Sequence, residues 1–472
     1  MGSTEMKINT AYDEYKYFLT EYLLPLIGIP NNNNNLVDVS TSRKNKLEKA
    51  GPFIRQVNNR IYFSSYTEDV FYLEWKPKLA DDSIGLAINV IHAFFSVSKY
   101  WISDNQQSIK IDYKTNAIRE ENYRLAVQKG VCDWCAGADN EAFYRLIHIL
   151  EKWSVQTYEG NKVTFGFIYN PRSESHFEDD EYGNWLKFLD DDYAATLTDC
   201  IHSVIQLDKN CNFAGYISVT ENDEVEHYHL SPLLPYRFAR IVEKHVVGSC
   251  VGVFLLSNGD ILISKKRAVC LIKRNLKWLN LSYETFRNMI ESKVKQGRVQ
   301  SSLIEQIYAS VLDVSFAHTG GIIAVVSDIS KLMPVSNPVL NICDNLLDKR
   351  ELSIIEYEMK TSKNYKSLSS TEIKKRILKR KVILSLVSGR QFVALDRKLR
   401  AELISMDGAC ILDFEGNVCA AGAIIRNDSG SSGGGRSAAA KKLSKYGGLA
   451  VKISTDGYIE LFVNYNTVYS IK

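Results

Sequence analysis

From residue 407 to residue 463 the chain alternates short apolar runs with glycine turns, and this alternation restricts the folds open to it. Four runs have the length and composition of buried strands, at residues 409–413, 418–425, 449–454 and 458–463. Between the second and third runs stand a glycine-rich stretch and an alanine-rich segment, residues 437–445, which predicts a helix. Strands that alternate with a helix in this way predict a mixed sheet covered by helices.

The segment upstream adds two helices and one more strand to this domain. Residues 283–296 and 303–316 have helical periodicity, and residues 320–327 form an apolar run after a glycine, which predicts a buried strand. We therefore predict one domain over residues 286–472.

With 472 residues the chain is too long for a single ordinary core. Besides residues 286–472, we predict a helix-rich region at residues 1–160 and a strand-rich region at residues 161–285. The elements predicted in the first region are helices at residues 12–26, 84–101 and 141–153 and a strand at residues 60–66. The fold class is α/β of the α+β type, with a mixed α/β region before the C-terminal sheet.

The clearest local pattern in the strand-rich region is a hairpin. Two apolar runs within residues 251–271 flank Asn258 and Gly259, and this pair suits a two-residue turn in which both positions need a positive φ. Further elements are predicted at residues 162–169 (strand), 193–204 (helix) and around Ile205 (strand).

Composition resembles that of ordinary soluble globular proteins, with 45% hydrophobic and 24% charged residues. The net charge of +3 is too small to indicate nucleic acid or a membrane surface as an obligatory partner. No uninterrupted apolar run reaches the length of about 18 residues that a spanning helix needs. Nine cysteines without framework spacing are typical of reduced thiols, and the first ten residues lack the features of a secretory signal. We expect a cytoplasmic protein.

Two short motifs raise the question of a zinc site. Cys132 and Cys135 form a Cys-x-x-Cys pair, and His227 and His229 lie far along the chain from it. Zinc sites combine two such elements at regular spacing, which these motifs lack. We interpret the cysteines as a partly buried pair in a loop and the histidines as surface residues on one face of a strand.

A basic run at residues 374–381 follows a helix start. Ser369 and Glu372 have the spacing of a capping box, which predicts a helix over residues 372–380. Apolar residues interrupt the basic run at helical spacing, so we interpret it as an amphipathic helix with a solvated basic face rather than a nucleic-acid-binding segment.

The segment whose residues are best suited to ligand binding or catalysis lies where the glycine-rich stretch meets the predicted helix. Residues 429–435 are all serine or glycine, and Arg436 follows them. The backbone amides of Gly433, Gly434 and Gly435 can approach an anion closely, and a helix N-terminus adds about half a positive charge. Arg436 can bind a phosphate through its fork of donors.

Asp407 precedes two small residues, Gly408 and Ala409, at the start of a predicted strand. Its carboxylate can hold a divalent metal while a flat ligand lies against the following backbone. A carboxylate, a metal and a phosphate-binding loop suffice for nucleotidyl transfer, because positioning and charge neutralisation account for most of that catalysis. Two simpler interpretations stay open: an ordinary Asp-Gly turn, and a serine-glycine linker in a scaffold protein.

The order of these features resembles the diadenylate cyclase family over residues 301–463. The family has a DGA motif, a strand that ends in small residues, a G-T-R-H-R-A-A loop and helix, and a closing hairpin. The corresponding features here are Asp407-Gly408-Ala409, the strand at residues 418–425, the glycine stretch with Arg436, Ala439-Ala440, and the two last predicted strands.

The resemblance implies an activity and a role for each matching residue. Family members join two ATP molecules into cyclic di-AMP with Mg²⁺ or Mn²⁺, at sites where two protomers face each other. Asp407 and Arg436 would be catalytic, with Asp407 binding the metal and helping to activate the ribose 3′-hydroxyl. The residues implied to bind the nucleotide are Gly408 and Ala409 beside the adenine, and Gly433, Gly434, Gly435, Arg436 and Ser437 around the triphosphate.

The chain departs from the family pattern at two places. Without gaps, the Arg-His-Arg of the family falls on Arg436, Ser437 and Ala438, and after a shift by one residue it falls on Gly435, Arg436 and Ser437; a single arginine remains either way. The usual glutamate of the closing hairpin is replaced, and Asp456 is the candidate substitute as a metal ligand. Three nearby lysines could compensate for the missing charge, but we interpret them as solvated surface charges: Lys441, Lys442 and Lys452.

We therefore expect a cyclase that makes cyclic di-AMP or a relative from ATP and acts as a homo-oligomer with facing active sites. Residues 161–285 look like the sensor domains that accompany divergent members of the family, so we expect an unknown ligand to control synthesis there. We expect neither a membrane nor a nucleic acid as a partner. The alternative is a catalytically degenerate protein that binds nucleotide and acts as a sensor.

Overall fold

The computed structural model describes residues 11–30, 36–38, 53–58, 60–64, 70–74, 79–102, 113–138, 140–158, 161–169, 185–187, 214–219, 225–231, 246–294, 299–334, 338–426 and 434–472. The chain forms two compact units, Met1–Ser282 and Tyr283–Lys472. The elements predicted at residues 193–204 and at Ile205, and the predicted ligand Gly433, lie outside the described residues. Among the residues that are described, no helix has the length and apolar character needed to cross a membrane.

The helices of the first unit confirm three predictions and add one helix. The described helices are Ala11–Phe18, which continues through a π-turn at Leu19–Leu23 into Leu24–Leu26, then Asp81–Ile102, Tyr113–Ala136 and Glu141–Ser154. Helix Tyr113–Ala136 was not predicted because its polar and apolar residues are spread around the helix rather than forming one stripe.

The described strands of the first unit form two larger sheets and one two-stranded ribbon. These strands are β1 (Leu36–Asp38), β2 (Phe53–Val57), β3 (Arg60–Ser64), β4 (Val70–Glu74), β5 (Thr157–Tyr158), β6 (Asn161–Lys162), β7 (Phe165–Tyr169), β8 (Trp185–Lys187), β9 (Ala214–Val219), β10 (Val225–Ser231), β11 (Val251–Leu255), β12 (Ile261–Lys265), β13 (Ala268–Arg274) and β14 (Lys277–Asn280). The sheet orders are β1-β4-β3-β2, β14-β13-β12-β11-β7-β9-β10-β8 and β5-β6. The long sheet is mixed, since β7 and β9 run parallel.

The predicted hairpin is confirmed, but its predicted turn is wrong. β11 and β12 pair as far as Leu255 opposite Ile261, so residues 256–260 form the connection. Gly259 has a φ of 87°, whereas Asn258 is not among the residues with positive φ. The side chain of Asn258 instead accepts a hydrogen bond from the backbone N–H of Asp260 at 2.9 Å, and this local bond selects a longer turn.

Hydrogen bonds join helices that precede residue 160, the predicted boundary between two regions, to strands of the long sheet that follow it. Trp278 Nε1 donates to Gln128 Oε1 at 2.6 Å, and Asn280 Nδ2 donates to Ser83 Oγ at 2.7 Å. The predicted regions 1–160 and 161–285 thus contribute to one compact unit.

Cys132 and Cys135 lie inside helix Tyr113–Ala136, so the prediction that they occupy a loop is wrong. Both are buried, and burial raises the pKa of both thiols above the usual range. Their spacing of one helical turn buries both as small apolar side chains. His227 and His229 lie two residues apart in β10. Within the described residues, no group of three or more His, Cys, Asp and Glu is arranged to hold a metal ion.

The turn of the hairpin is also held by a buried ion pair. Arg274 of β13 donates to Asp260 Oδ2 from Nη2 at 2.6 Å and from Nε at 2.9 Å. The two side chains are 2% and 5% exposed. If one partner of such a pair is removed, the other charge remains buried without a counter-charge.

We expect Asp260→Asn to lower the free energy of unfolding by about 3 kcal/mol, because Arg274 would stay buried without a full counter-charge. All six tryptophans lie between residues 75 and 278, so denaturant titration followed by tryptophan fluorescence monitors this unit. The control is Asp82→Asn, whose partner Lys266 lies 3.1 Å away in an exposed pair, and we expect a loss below about 0.5 kcal/mol. Equal losses in the two variants would contradict the prediction.

The second unit contains the predicted mixed sheet. Its strands are β15 (Gly321–Val325), β16 (Ala409–Leu412), β17 (Val418–Ala423), β18 (Leu449–Ile453), β19 (Ile459–Val463) and β20 (Asn466–Ile471), in the order β17-β16-β15-β18-β19-β20. β15 and β16 are parallel, and the other neighbours are antiparallel. β20 was not predicted; it follows a turn in which Asn464 and Tyr465 both have positive φ.

Helices cover both faces of this sheet. The described helices are Tyr283–Glu291, Ser301–Phe316, Leu352–Thr361, Ser370–Val387, Arg397–Ser405 and Gly434–Ser444. Helix Gly434–Ser444 shares one hydrophobic cluster with Ile322 and Ala324 of β15. Ile323 and Val325 point to the other face by strand alternation and are also buried, so neither face meets solvent along this strand.

The capping box is confirmed, and the prediction of a solvated basic face is wrong in part. Ser369 Oγ accepts from the backbone N–H of Glu372 at 3.2 Å, and the Glu372 carboxylate accepts from Ser369 N at 2.9 Å. In helix Ser370–Val387, however, Arg380 is 3% exposed and Leu378 is 62% exposed. Arg380 is buried because it donates to backbone carbonyls of a neighbouring turn.

Candidate functional site

Four strands of the second unit border one cavity at the same edge of the sheet. β15 and β16 run parallel and begin at this edge, whereas β17 and β18 run antiparallel to them and end there. The cavity has a volume of about 550 Å³. Its lining includes Asp407 and Gly408 before β16, Ile424 after β17, Arg436 at the start of a helix, and Ser454 and Thr455 after β18.

Gly408 and Gly422 bring two backbone segments into direct contact at the cavity. Their φ angles are 112° and 58°, in the left-handed region that favours glycine. A Cβ on Gly408 would lie 2.4 Å from the carbonyl carbon of Gly422, and Ala409 pairs with Ala423 just beyond. The glycine after Asp407 is therefore required by packing, whatever the ligand.

We expect Gly408→Ala to destabilise the second unit by about 2–5 kcal/mol, since it adds backbone strain to a clash with a neighbouring backbone. Gly389→Ala is the matched control: its φ is 70°, but a Cβ there would meet nothing within 4 Å. We expect this control to lose about 1 kcal/mol. Amide hydrogen exchange in the peptide that contains β16 measures both variants, and similar exchange rates would contradict the prediction.

Helix Gly434–Ser444 begins at the cavity, with Gly434, Gly435 and Arg436 in its wall. The partial positive charge of the helix N-terminus thus lies at the cavity. A Cβ on Gly320 would lie 2.7 Å from Arg436 Nη1, so the guanidinium packs against this glycine at the start of β15. Arg436 is exposed, and no ion pair to another described residue holds it.

The other predicted ligands lie in different environments. Ala409 is fully buried in β16, and Ser437 is 4% exposed within the helix. Neither is among the residues that line the cavity, and Ala438 is not among them either. Arg436 is therefore the one member of the aligned triplet 436–438 that borders the cavity.

The carboxylates available at the cavity limit the kind of metal site it can form. Asp407 is exposed and is the one carboxylate among the described residues that line the cavity. Asp456, the other predicted ligand, is an exposed residue of the turn after β18 and is not part of the lining. Mg²⁺ commonly uses one or two carboxylates together with substrate phosphates and water. The described lining therefore lacks the several carboxylates of a metal cage built from protein ligands alone.

Lys452 lines the cavity and is largely buried, so the prediction that it is a solvated surface charge is wrong. In β18 it lies opposite Ile322 of β15 and opposite Glu460 of β19, so the three side chains share one face of the sheet. Its Nζ lies 2.7 Å from Glu460 Oε2, and the side chain is 16% exposed. This position depends on strand register, which the spacing of residues along the chain does not reveal.

The other two lysines of that group do not border the cavity. Lys442 Nζ donates to the backbone carbonyl of Arg426 at 2.6 Å, and Lys441 lies over the Phe462 ring. Lys441 remains exposed, as predicted.

Glu460 is shared by two lysines. Lys472 Nζ lies 2.5 Å from its Oε1, on the opposite side from Lys452. Burial opposes ionisation of this carboxyl group, but the hydrogen bonds from Lys452 and Lys472 outweigh burial and hold its pKa below the usual range. Glu460 is therefore charged at neutral pH.

A second charged group supports the end of β17 beneath the cavity. Lys379 Nζ donates to the backbone carbonyl of Gly422, and the charge of Lys379 acts on the carboxyl group of Asp344. Asp344 is 5% exposed, and Arg376 Nη1 lies 3.5 Å from its Oδ2. Burial raises the pKa of Asp344 above its usual range despite the nearby cations.

We expect Lys379→Met to destabilise the second unit by about 1–3 kcal/mol, because the buried carbonyl of Gly422 would lose its donor. The variant also loses the strongest cationic influence on Asp344, so the folded-state pKa of that carboxyl group rises further. A raised folded-state pKa means that stability falls as pH rises above the unfolded value of about 3.9. The loss in free energy of unfolding relative to the parent protein should therefore be larger at pH 7 than at pH 4.

Hydrogen exchange at the two pH values, corrected for intrinsic rates, measures this deficit. Lys375→Met is the control because Lys375 is exposed on the same helix. A deficit that shrinks as the pH rises, or one that the control reproduces, would contradict the prediction.

Comparisons with known proteins add no relative to this picture. No protein-family model matches the chain, and none of the curated proteins matches it.

Proposed function

We propose that the second unit is a nucleotide cyclase that condenses two ATP molecules into a cyclic dinucleotide, cyclic di-AMP or a close relative. The observation that carries this proposal is the cavity in which Asp407, Arg436 and the N-terminus of helix Gly434–Ser444 meet. A carboxylate opposite positive groups that are already in position suits a reaction in which charge moves between phosphate oxygens. The order of motifs that resembles diadenylate cyclases agrees with it.

In the proposed reaction, the 3′-hydroxyl oxygen of each ATP attacks the α-phosphorus of the other. A phosphodiester bond forms, the bond from the α-phosphorus to the oxygen that bridges it to the β-phosphate breaks, and the hydroxyl proton passes to solvent water. Two such steps close the ring and release two pyrophosphates. Because each cavity would present one ATP, the active form is a homo-oligomer with facing cavities.

Each group of the cavity has a role in this proposal. Gly434, Gly435 and Arg436 hold the triphosphate through backbone amides and the guanidinium. Asp407 orients the 3′-hydroxyl and holds Mg²⁺ or Mn²⁺, which would neutralise charge on the phosphates. Gly408 lines the cavity without a side chain, so an adenine can lie against its backbone.

The first unit would then regulate synthesis. We propose that it binds a ligand, still unidentified, and acts as the sensor of a cytoplasmic signalling protein. The free thiols of the described cysteines agree with a reducing compartment.

The test is product analysis by mass spectrometry after incubation of the full chain with ATP and Mg²⁺ or Mn²⁺. We expect a cyclic dinucleotide and pyrophosphate. Asp407→Asn and Arg436→Met should each lower the rate by at least about 100-fold, since each removes a group that acts on charge in the transition state. Glu415→Gln, an exposed carboxylate outside the cavity, should leave the rate unchanged.

ATP binding without any cyclic product, at any protein concentration and with either metal, would overturn the cyclase proposal. The same experiment with the other three nucleoside triphosphates defines the base preference.

A catalytically degenerate nucleotide sensor is the alternative, and one observation favours it. In the alignment without gaps, two of the three positions of the Arg-His-Arg motif, Ser437 and Ala438, carry no charge and do not line the cavity; in the shifted alignment Gly435 lines the cavity but also carries no charge. Under this alternative ATP binds but is not converted into a product, and the Asp407→Asn variant retains the cellular effect of the parent protein. Under the cyclase proposal that variant loses it.

A further inference from the structure

A charged pair interrupts the apolar face of the second sheet beside the cavity. Ala450 and Phe462 lie opposite each other in β18 and β19 and belong to the core beneath helix Gly434–Ser444. The next pair on the same face is Lys452 and Glu460, and both side chains are largely buried. Burying two charges is costly unless each is paired, so an ionic pair here gains little for stability alone.

This pair lies at the cavity, where one of its two members is part of the lining. Lys452 lines the cavity together with Arg436 and Asp407, whereas Glu460 is not part of the lining. The lysine is thus the member of the pair that a bound ligand can reach. An ammonium group has three donors, and among the described residues Glu460 is its recorded partner.

The charges around Glu460 leave the group with a net positive charge. Glu460 contacts Lys452 through Oε2 and Lys472 through Oε1, so one negative charge faces two positive charges. The carboxylate can therefore hold the ammonium of Lys452 in place without cancelling its attraction for an anion.

We propose that Lys452 is the second polyphosphate-binding cation of the cavity, together with Arg436, and that Glu460 is a positioning residue for it. This inference rests on the proposed function for the identity of the ligand, a nucleoside triphosphate, but not for the presence of a phosphate-binding site. It accounts for how a site with one arginine neutralises a triphosphate. It also predicts that affinity rises with the number of phosphates on the ligand.

The experiment is isothermal titration calorimetry of the full chain in the presence of Mg²⁺. It measures the affinity for three ligands: ATP, inorganic tripolyphosphate and adenosine. The variant is Lys452→Met, in which Glu460 keeps Lys472 as its partner and the fold is expected to persist. The control is Lys445→Met, an exposed lysine of the same unit that does not line the cavity. We expect Lys452→Met to weaken ATP and tripolyphosphate about tenfold and adenosine less than twofold, while Lys445→Met changes none of them.

A double variant, Lys452→Met with Glu460→Gln, separates direct binding from a change in local charge. If Lys452 contacts phosphate, the double variant binds ATP as weakly as Lys452→Met. Recovery of the parent affinity would show that the exposed charge of Glu460 caused the loss, and this would overturn the proposal.

Other outcomes separate this inference from the cyclase proposal. Product formation with unchanged tripolyphosphate affinity in Lys452→Met would overturn the role of Lys452 and leave the cyclase proposal intact. ATP binding that depends on Lys452, without any cyclic product, would support the inference and overturn the cyclase. A parent protein that binds neither ATP nor tripolyphosphate would overturn both.

Discussion

The backbone contact between Gly408 and Gly422 is the constraint on which the cavity depends. It sets the distance between the segment before β16 and the end of β17, and so it places Asp407 at the edge of the sheet. A side chain on Gly408 would meet the backbone of Gly422, which cannot move without disturbing the pairing of β16 with β17. The Asp-Gly pair therefore combines a packing requirement with a functional position, and the two are hard to separate by inspection of the chain.

Charge around the cavity is arranged in two layers. At its surface, Arg436, Lys452 and a helix N-terminus accompany Asp407, the one carboxylate among the described lining residues, and this combination suits a ligand with several negative charges. Below it, Lys379 bonds the carbonyl of Gly422 and helps to stabilise the end of β17. Neither Lys379 nor Asp344 is among the described residues that line the cavity, so their effect on binding would pass through the position of the backbone at the end of β17.

The fold of the second unit was largely predictable because its elements have strong local signals. Glycine turns separate the strands, the capping box starts a helix, and the alanine-rich segment has no competing pattern. The two errors have different causes. Arg380 is buried because distant carbonyls accept its donors. The Asn-Gly hairpin adopts a longer turn because the side chain of Asn258 accepts a hydrogen bond from the backbone N–H of Asp260, and in this turn Asp260 reaches Arg274.

The sequence by itself determined the α+β class, strands β15 to β19 and four helices of the second unit in their order, and Asp407 and Arg436 as candidate residues. Composition, turn residues and motif order are properties of the sequence itself, so they can be identified without knowing which residues are in contact in three dimensions. Only the tertiary structure decided that Asp456 stays outside the cavity lining and that Lys452 belongs to it. The register between β15, β18 and β19 makes that decision, because it selects which side chains share a face and reach the edge of the sheet.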